Sequence, residues 1–294
     1  MIVKEKELIL WFEDLRNVDV SIVGGKNASL GEMISSGLPV PPGFAVTAFS
    51  YERFIQEKKI AEQIYRIIKE TITNPNDPRQ YDTASKKIRE LIEKTPMPKD
   101  MENAIRAAYR ELNKRLDLKD TFVAVRSSAT AEDLPDASFA GQQETYLNVK
   151  GEDDLIEKVV KCWSSLFTPR AIFYRNEKGF PHEKVFISVG VQKMVNSRCA
   201  GVMFTINPVS GDRDEIVIEG NFGLGETVVS GAVNPDDFII DKNTMQIKER
   251  RISRKTIKFI RDSKTGKTVH LDIPEDEQKT VCVSDKELMM LAEL

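Results

Sequence analysis

Val125-Arg-Ser-Ser-Ala-Thr-Ala-Glu-Asp133, continued by Ser138-Phe-Ala-Gly-Gln-Gln-Glu-Thr-Tyr146, is the stretch around which the chain is organised. The apolar run that enters it, Phe122 to Val125, predicts a buried strand, and the run after it, Thr145 to Val149, predicts a second. Arg126 would then leave the first strand and enter a loop of small and hydroxyl residues, where a guanidinium is well placed to hold an anion. An ordinary hairpin loop with an exposed arginine explains this stretch alone equally well.

Composition places the chain among globular proteins. It has 294 residues, of which 40% are hydrophobic and 30% charged, and this length suggests two domains or one bilobed unit. The formal net charge of -3 gives no electrostatic argument for nucleic acid, and no apolar run approaches membrane-spanning length. Cys162, Cys199 and Cys282 are isolated, which argues against a disulfide framework and predicts a cytoplasmic protein.

A second candidate anion site lies near the N-terminus. The apolar run Val20 to Val23 leads into Gly24-Gly-Lys26, and the residues from Asn27 onward have helical periodicity. Strand, glycine turn and helix form a phosphate-binding arrangement, because the helix N-terminus carries partial positive charge and Lys26 adds a full one. The spacing is not that of a Walker A motif, and a plain turn is the competing interpretation.

A third glycine-rich loop follows a predicted strand, in Glu219-Gly-Asn-Phe-Gly-Leu-Gly225. Glu219 at the strand end has the chemistry to bond ribose hydroxyls or a metal. A Rossmann fold is not predicted, because the third glycine of the fingerprint and a crossover helix are not convincing here. Three loops with lysine, arginine and glycine, separated by strands, together favour a protein that holds a polyphosphate.

The remaining chain predicts an α+β fold with a boundary after residue 185, giving lobes 1–185 and 186–294. Residues 48–116 carry four amphipathic helices, interpreted as an insert that serves as scaffold without chemistry of its own. His182 is expected in an exposed loop. The basic segment 242–267 is interpreted as solvated hairpin faces, with a nucleic-acid patch less favoured. The segment 285–294 starts as a capped helix and stops inside its apolar repeat, so we expect a truncated C-terminus.

Six ordered blocks also resemble a known family. They are Val23-Gly-Gly-Lys-Asn-Ala-Ser-Leu-Gly-Glu-Met33, Pro39-Val-Pro-Pro-Gly-Phe-Ala-Val-Thr47, the Val125 to Asp133 stretch, Phe139-Ala-Gly-Gln-Gln-Glu-Thr145, Gln192-Lys-Met-Val195 and Asn221-Phe-Gly-Leu-Gly-Glu226. Together they resemble the ATP-binding domain of the phosphoenolpyruvate synthases (pyruvate, water dikinases). Pyruvate phosphate dikinases are less similar after the Val-Arg-Ser element, and the rifampicin phosphotransferases, which share many blocks, stay open as an alternative.

The resemblance implies an ATP-grasp-like bilobed fold that binds ATP between its lobes, with Mg²⁺. By motif position, the resemblance implies that Lys26 and Arg126 contact the phosphates and are the catalytic residues. It implies that Gly141, Gln143 and Thr145 form the loop over the phosphates. Gln192 and Met194 would lie beside the adenine, and Glu219 near the ribose. The metal ligands are not identified by the sequence.

The implied activity is that of a phosphotransferase with paired acceptors. Pyruvate, ATP and water would give phosphoenolpyruvate, AMP and phosphate through a phosphohistidine on a separate domain. Neither His182 nor His270 lies in the Gly-rich Thr-Ser-His context of that phosphohistidine. We therefore expect a fragment of a longer enzyme, whose phosphohistidine and pyruvate-binding domains are its partners, with no nucleic acid and no membrane. A stand-alone nucleotide-binding module without catalysis is the alternative from another class.

Overall fold

The chain divides into two compact units, Met1–Met194 and Val195–Leu294. The computed structural model describes residues 4–130, 133–134, 137–138, 144–182 and 185–294. The division falls later than the predicted boundary after residue 185. The physical reason is that strand Ile187–Lys193, expected to open the second lobe, pairs with strands on both sides in the sheet of the first unit.

The first unit is built on an antiparallel sheet with strand order β1-β2-β7-β3-β6. These strands are β1 Ile9–Trp11, β2 Gly43–Val46, β3 Val123–Ala129, β6 Thr145–Val149 and β7 Ile187–Lys193. A separate short hairpin pairs β4 (Asp133–Leu134) with β5 (Ala137–Ser138). The strand predicted over Thr145 to Val149 is confirmed.

Strand β3 extends further than the sequence predicts. It runs to Ala129, so Arg126 lies within the strand and the prediction that it emerges into a loop is wrong. Ser127, Ser128 and Ala129 continue the ladder, because each pairs with a residue of β7. Hydroxyl and small side chains favour turns only when no tertiary partner competes, and here the neighbouring strand supplies the backbone hydrogen bonds.

The two faces of this sheet are covered by different helices. Alternation directs Val46, Val125 and Val191 toward a large apolar core shared with the helical insert and the helices after β6. Those helices are α2 Ala48–Glu57, α3 Ala61–Thr71, α4 Pro78–Lys94, α5 Lys99–Arg115, α6 Glu152–Ser164 and α7 Pro169–Lys178. The predicted helical insert is confirmed. Ala45, on the opposite face, packs in a smaller core with residues of helix α1 (Val20–Ser35).

Helix α1 spans Val20–Ser35 and is kinked at Gly24, whose φ of 72° and ψ of 164° are not helical. The predicted strand over Val20 to Val23 is therefore wrong. Val23 is buried against Leu10 and Ala45, so its apolar character reflects core packing of a helical turn. The predicted helix after the glycines is confirmed, and its N-terminus begins at the kink.

The second unit has its own antiparallel sheet with strand order β11-β10-β9-β8, and a separate hairpin of β12 and β13. Its elements are β8 Cys199–Phe204, β9 Glu215–Phe222, α8 Glu226–Val229, β10 Asp236–Asp241, β11 Gln246–Arg251, β12 Ile257–Arg261, β13 Thr268–Asp272 and α9 Asp285–Glu293. Phe238, Ile218 and Leu288 belong to its apolar core. The predicted cap of the last helix is confirmed, because Ser284 and Glu287 form a capping box.

One basic residue of the second unit departs from the prediction of solvated hairpin faces. Lys255 is fully buried, and its Nζ lies 2.5 Å from Oδ1 of the equally buried Asp236. The other oxygen of Asp236 accepts from the backbone N–H of Cys282 at 2.9 Å. This pair ties three segments of the unit together. Within the described part of the chain, no helix has both the length and the apolarity needed to cross a membrane.

Candidate functional site

A cavity of about 290 Å³ lies in the first unit, on the face of the sheet that α1 covers. Residues from α1, β3 and β7 line it, together with one ring from the turn after β1. They are Phe12, Gly25, Lys26, Asn27, Ser29, Leu30, Arg126, Ser127, Gly190 and Gln192. Residues more than one hundred positions apart in the chain thus share one wall, because strand pairing brings β3 and β7 beneath the start of α1.

The kink in α1 fixes where the helix begins relative to the sheet. Gly24 packs so tightly on β3 that a Cβ there would lie 2.3 Å from Ser128 Oγ and 2.4 Å from Ser128 O. After the kink, the backbone N–H of Asn27 donates to Ser128 Oγ at 3.4 Å. The helix N-terminus, with its partial positive charge, is therefore held against the cavity.

The buried side chain of Asn27 adds a second tie between α1 and the sheet. Its Nδ2 donates to Val23 O at 3.0 Å and to Ser188 Oγ at 3.1 Å. Ser188 in turn donates to Val46 O at 2.8 Å. Sequence reasoning placed Asn27 at the helix start but assigned it no role, because its partner is 161 residues away. Only the register of β2, β3 and β7 places these groups together.

Two cationic side chains meet on the wall of the cavity. Lys26 is exposed, and its Nζ donates to the carbonyl oxygen of Ser127 at 3.4 Å. Arg126, also exposed, donates from Nη1 to Gln192 Oε1 at 3.5 Å. The Gln192 amide is itself oriented by donating to Pro41 O at 3.1 Å. Two positive charges beside a helix N-terminus form a site with the chemistry to bind a phosphate group.

The structure gathers part of the predicted contact set. Lys26, Arg126 and Gln192 line one cavity, and Thr145 on β6 lies directly opposite Arg126 in the strand register. Met194 follows β7 and donates its backbone N–H to Phe122 O at 2.8 Å. Glu219 lies on β9 of the second unit, opposite Asp237. The predicted contacts Gly141 and Gln143 lie outside the described residues.

The structure corrects the expectation for His182, which was predicted to be exposed in a loop. The ring is half-buried, and its Nδ1 accepts a hydrogen bond from Nε of the fully buried Arg175 at 2.8 Å. Burial, followed by the nearby guanidinium, lowers the pKa of His182 to about 4. A neutral imidazole that accepts from Arg175 stabilises the end of α7, away from the cavity lining.

The fold and the cavity define a mixed α+β protein in which a lysine, an arginine and a helix N-terminus line one cavity. The family model described as the AMP/ATP-binding domain of pyruvate phosphate dikinase matches residues 20–294. The chain therefore belongs to that family.

Curated relatives align with nearly the whole length of the chain. It is 52% identical over 285 residues to a probable phosphoenolpyruvate synthase of Staphylothermus marinus, covering 96% of the chain and 34% of the relative. It is 46% identical over an alignment of 322 residues to the phosphoenolpyruvate synthase of Pyrococcus furiosus, and the alignment covers 97% of the chain and 39% of the relative. The corresponding enzyme of Aeropyrum pernix is 50% identical over 275 residues, covering 94% and 33%.

The chain thus spans between a third and two fifths of the length of these three relatives. It matches the N-terminal ATP-binding region of phosphoenolpyruvate synthases.

Proposed function

We propose that this chain binds ATP and that the cavity under α1 holds its phosphates. The observation that carries this proposal is the convergence of Lys26, Arg126 and the start of α1 on one cavity of about 290 Å³. Lysine, arginine and helix N–H groups are the means by which proteins hold polyphosphates and stabilise charge during phosphoryl transfer. The family is described as an AMP/ATP-binding domain, which supports the choice of nucleotide.

The roles of the two cations follow from their side chains. The flexible ammonium of Lys26 acts as a point charge, whereas the planar guanidinium of Arg126 can bond two phosphate oxygens at once. Gln192, which bonds Arg126 and Pro41, orients that guanidinium. Thr145, opposite Arg126 in register, is a further candidate for the phosphates. Gln192 and Met194 beside the adenine and Glu219 near the ribose stay predictions from the motif resemblance.

In the longer enzyme we infer a phosphotransferase of the phosphoenolpyruvate synthase type, with an ATP-grasp-like binding domain. ATP, pyruvate and water would give phosphoenolpyruvate, AMP and phosphate through a phosphohistidine on another domain of the full-length protein. The names of the relatives favour this acceptor over the antibiotic of a rifampicin phosphotransferase. The parts of the full-length enzyme that would bind pyruvate and carry the histidine are the partners of this proposal.

Mg²⁺ would enter with the nucleotide and neutralise charge on the phosphates. Among the residues that the structure describes, no group of three or more histidine, cysteine, aspartate or glutamate side chains is placed to hold a metal ion. None of the described residues is therefore assigned to the metal.

Calorimetric titration of the chain with ATP and Mg²⁺ tests the proposal. Lys26→Met and Arg126→Met should each weaken ATP binding about 10- to 100-fold, because each removes a charge-assisted hydrogen bond worth about 1.5–3 kcal/mol. Lys94→Met and Arg79→Met are the matched controls, because both side chains are exposed and each pairs with a neighbour on α4 or at its cap. The proposal fails if the folded chain does not bind ATP, or if the control variants lose as much affinity.

A further inference from the structure

Arg89 belongs to α4 of the helical insert, which the sequence predicts to be scaffold. Its Nη2 donates to Oε1 of Glu144 at 2.6 Å, and both side chains are only 28% exposed. Glu144 lies just before β6, the strand that pairs with β3, and β3 carries Arg126. This contact joins the insert to the strands of the cavity wall.

The backbone of Glu144 continues the connection toward the cavity. Its carbonyl oxygen accepts from the N–H of Ser127 at 3.3 Å and from Ser127 Oγ at 3.1 Å. The carbonyl of Ser127 is the acceptor for Lys26 Nζ. Hydrogen bonds at the side chain and the backbone of Glu144, and then at Ser127, thus connect Arg89 to the lysine of the proposed phosphate site.

The Glu144 carboxylate is held on both oxygens. Oε1 accepts from Arg89, and Oε2 accepts from the hydroxyl of Tyr146. Burial, followed by the hydrogen bond to Glu144, raises the pKa of Tyr146 well above its ordinary value, so the phenol stays a donor. A carboxylate with a fixed orientation holds its own backbone carbonyl in place, and that carbonyl is the acceptor for Ser127.

The Arg89 guanidinium is itself anchored to the core of the unit. Its Nε lies 3.7 Å from Oε1 of Glu93, one helical turn further along α4. The same Glu93 oxygen accepts from Ser164 Oγ at 2.7 Å, at the end of α6. Three elements therefore determine where the guanidinium lies, and a surface charge that merely increased solubility would not be constrained in this way.

We propose that Arg89 is a positioning residue for ATP binding: through Glu144 and Ser127 it fixes the place of Lys26 at the phosphates. The proposal rests on the proposed function of the cavity. It gives the helical insert a part in nucleotide binding, although Arg89 does not line the cavity. Removing Arg89 would leave the Glu144 carboxylate with the tyrosine alone and loosen the carbonyl on which the Ser127 contact depends.

Calorimetry on the chain with ATP and Mg²⁺ tests this with Arg89→Met, which keeps much of the side-chain volume. We expect the Kd for ATP to rise about three- to tenfold, since the lost contact is a charge-assisted hydrogen bond between half-buried groups. Lys94→Met is the matched control, because it removes another ion pair of α4, with Glu90, that is exposed and remote from β3. Its Kd should equal that of the unmodified chain.

A double-variant cycle separates positioning from a general loss of stability. In a Lys26→Met background, Arg89→Met should change the Kd less than twofold, because the lysine on which it acts is gone. An equal loss in both backgrounds would overturn the proposal, as would an unchanged Kd in Arg89→Met alone. If Arg89→Met does not fold, Glu144→Gln provides the same cycle from the other partner, with the same two refuting outcomes.

The two proposals fail in different ways. Absence of ATP binding by the unmodified, folded chain would refute the proposed function and this inference with it. ATP binding that is normal in the unmodified chain and weakened by Lys26→Met, but unaffected by Arg89→Met, would refute the positioning role alone.

Discussion

Gly24→Ala is the substitution that tests most directly how α1 is seated on the sheet. Two separate penalties apply at this position. The backbone has φ 72° and ψ 164°, a conformation open almost only to glycine. An added Cβ would also lie 2.4 Å from the carbonyl oxygen and 2.7 Å from the carbonyl carbon of Ser128, the last residue but one of strand β3.

The size of the effect follows from these two terms. Backbone strain of this kind costs about 1–3 kcal/mol. Overpacking against a fixed neighbour costs about another 1–3 kcal/mol, because the backbone of Ser128 is held by its pairing with Ser188 of β7. We expect Gly24→Ala to lower the free energy of unfolding by about 2–6 kcal/mol, a large part of the 5–15 kcal/mol typical of a domain.

Urea unfolding followed by circular dichroism measures this loss, with Gly37→Ala as the matched control. Gly37 has a φ of 83°, but an added Cβ there would meet nothing within 4 Å, so only the strain applies. We expect the control to lose about 1–2 kcal/mol. If Gly24→Ala costs no more than Gly37→Ala, the tight seating of α1 on β3 is refuted as the origin of the kink.

Two further predictions concern ionisable side chains that are partly or fully buried. The folded pKa of His182, about 4, lies below the ordinary 6.5, so the unfolded chain binds more protons between these values and stability falls as the pH drops through that window. From pH 7 to pH 5 the unmodified chain should lose about 2 kcal/mol more than His182→Gln in urea unfolding. Lys255→Met should cost about 3–5 kcal/mol, because it leaves the fully buried Asp236 carboxylate unpaired.

The His182 prediction and the Lys255 prediction each have their own control. An equal pH dependence in the unmodified chain and in His182→Gln would contradict the effect assigned to Arg175 and burial. For the buried pair, the double variant Lys255→Met with Asp236→Asn should be more stable than the single variant, because the amide leaves no charge to desolvate. A double variant that is no more stable would show that packing, not charge, explains the loss.

Local signals in the sequence were sufficient for much of the architecture. The amphipathic periods of the insert, the cap of α9 and the strand that begins at Thr145 depend on neighbours within a few residues, so they could be predicted. The errors occurred where tertiary packing overrides local preference. Val20 to Val23 has a strand-like composition but forms a helical turn, because its apolar side chains pack under β1 and β2.

The same division applies to the site. Its residue types could be predicted, since the glycines beside Lys26 and the small residues around Arg126 are local features of phosphate-binding loops. That the two cations share one cavity with Gln192 could not be derived from composition or spacing, although the family resemblance implied a common ligand. Their proximity depends on the order β2-β7-β3 and on a register that sets Arg126 opposite Gly190.

The sequence by itself determined many of the elements, the motifs and the family, because these depend on residue identity and short-range pattern. Only the tertiary structure decided that Arg126 lies within a strand, that Lys255 is buried with Asp236, and that Arg89 of the insert contacts Glu144. Each of these depends on pairing between segments far apart in the chain. The free energy of such a contact depends on burial and geometry, which no local pattern of residues specifies.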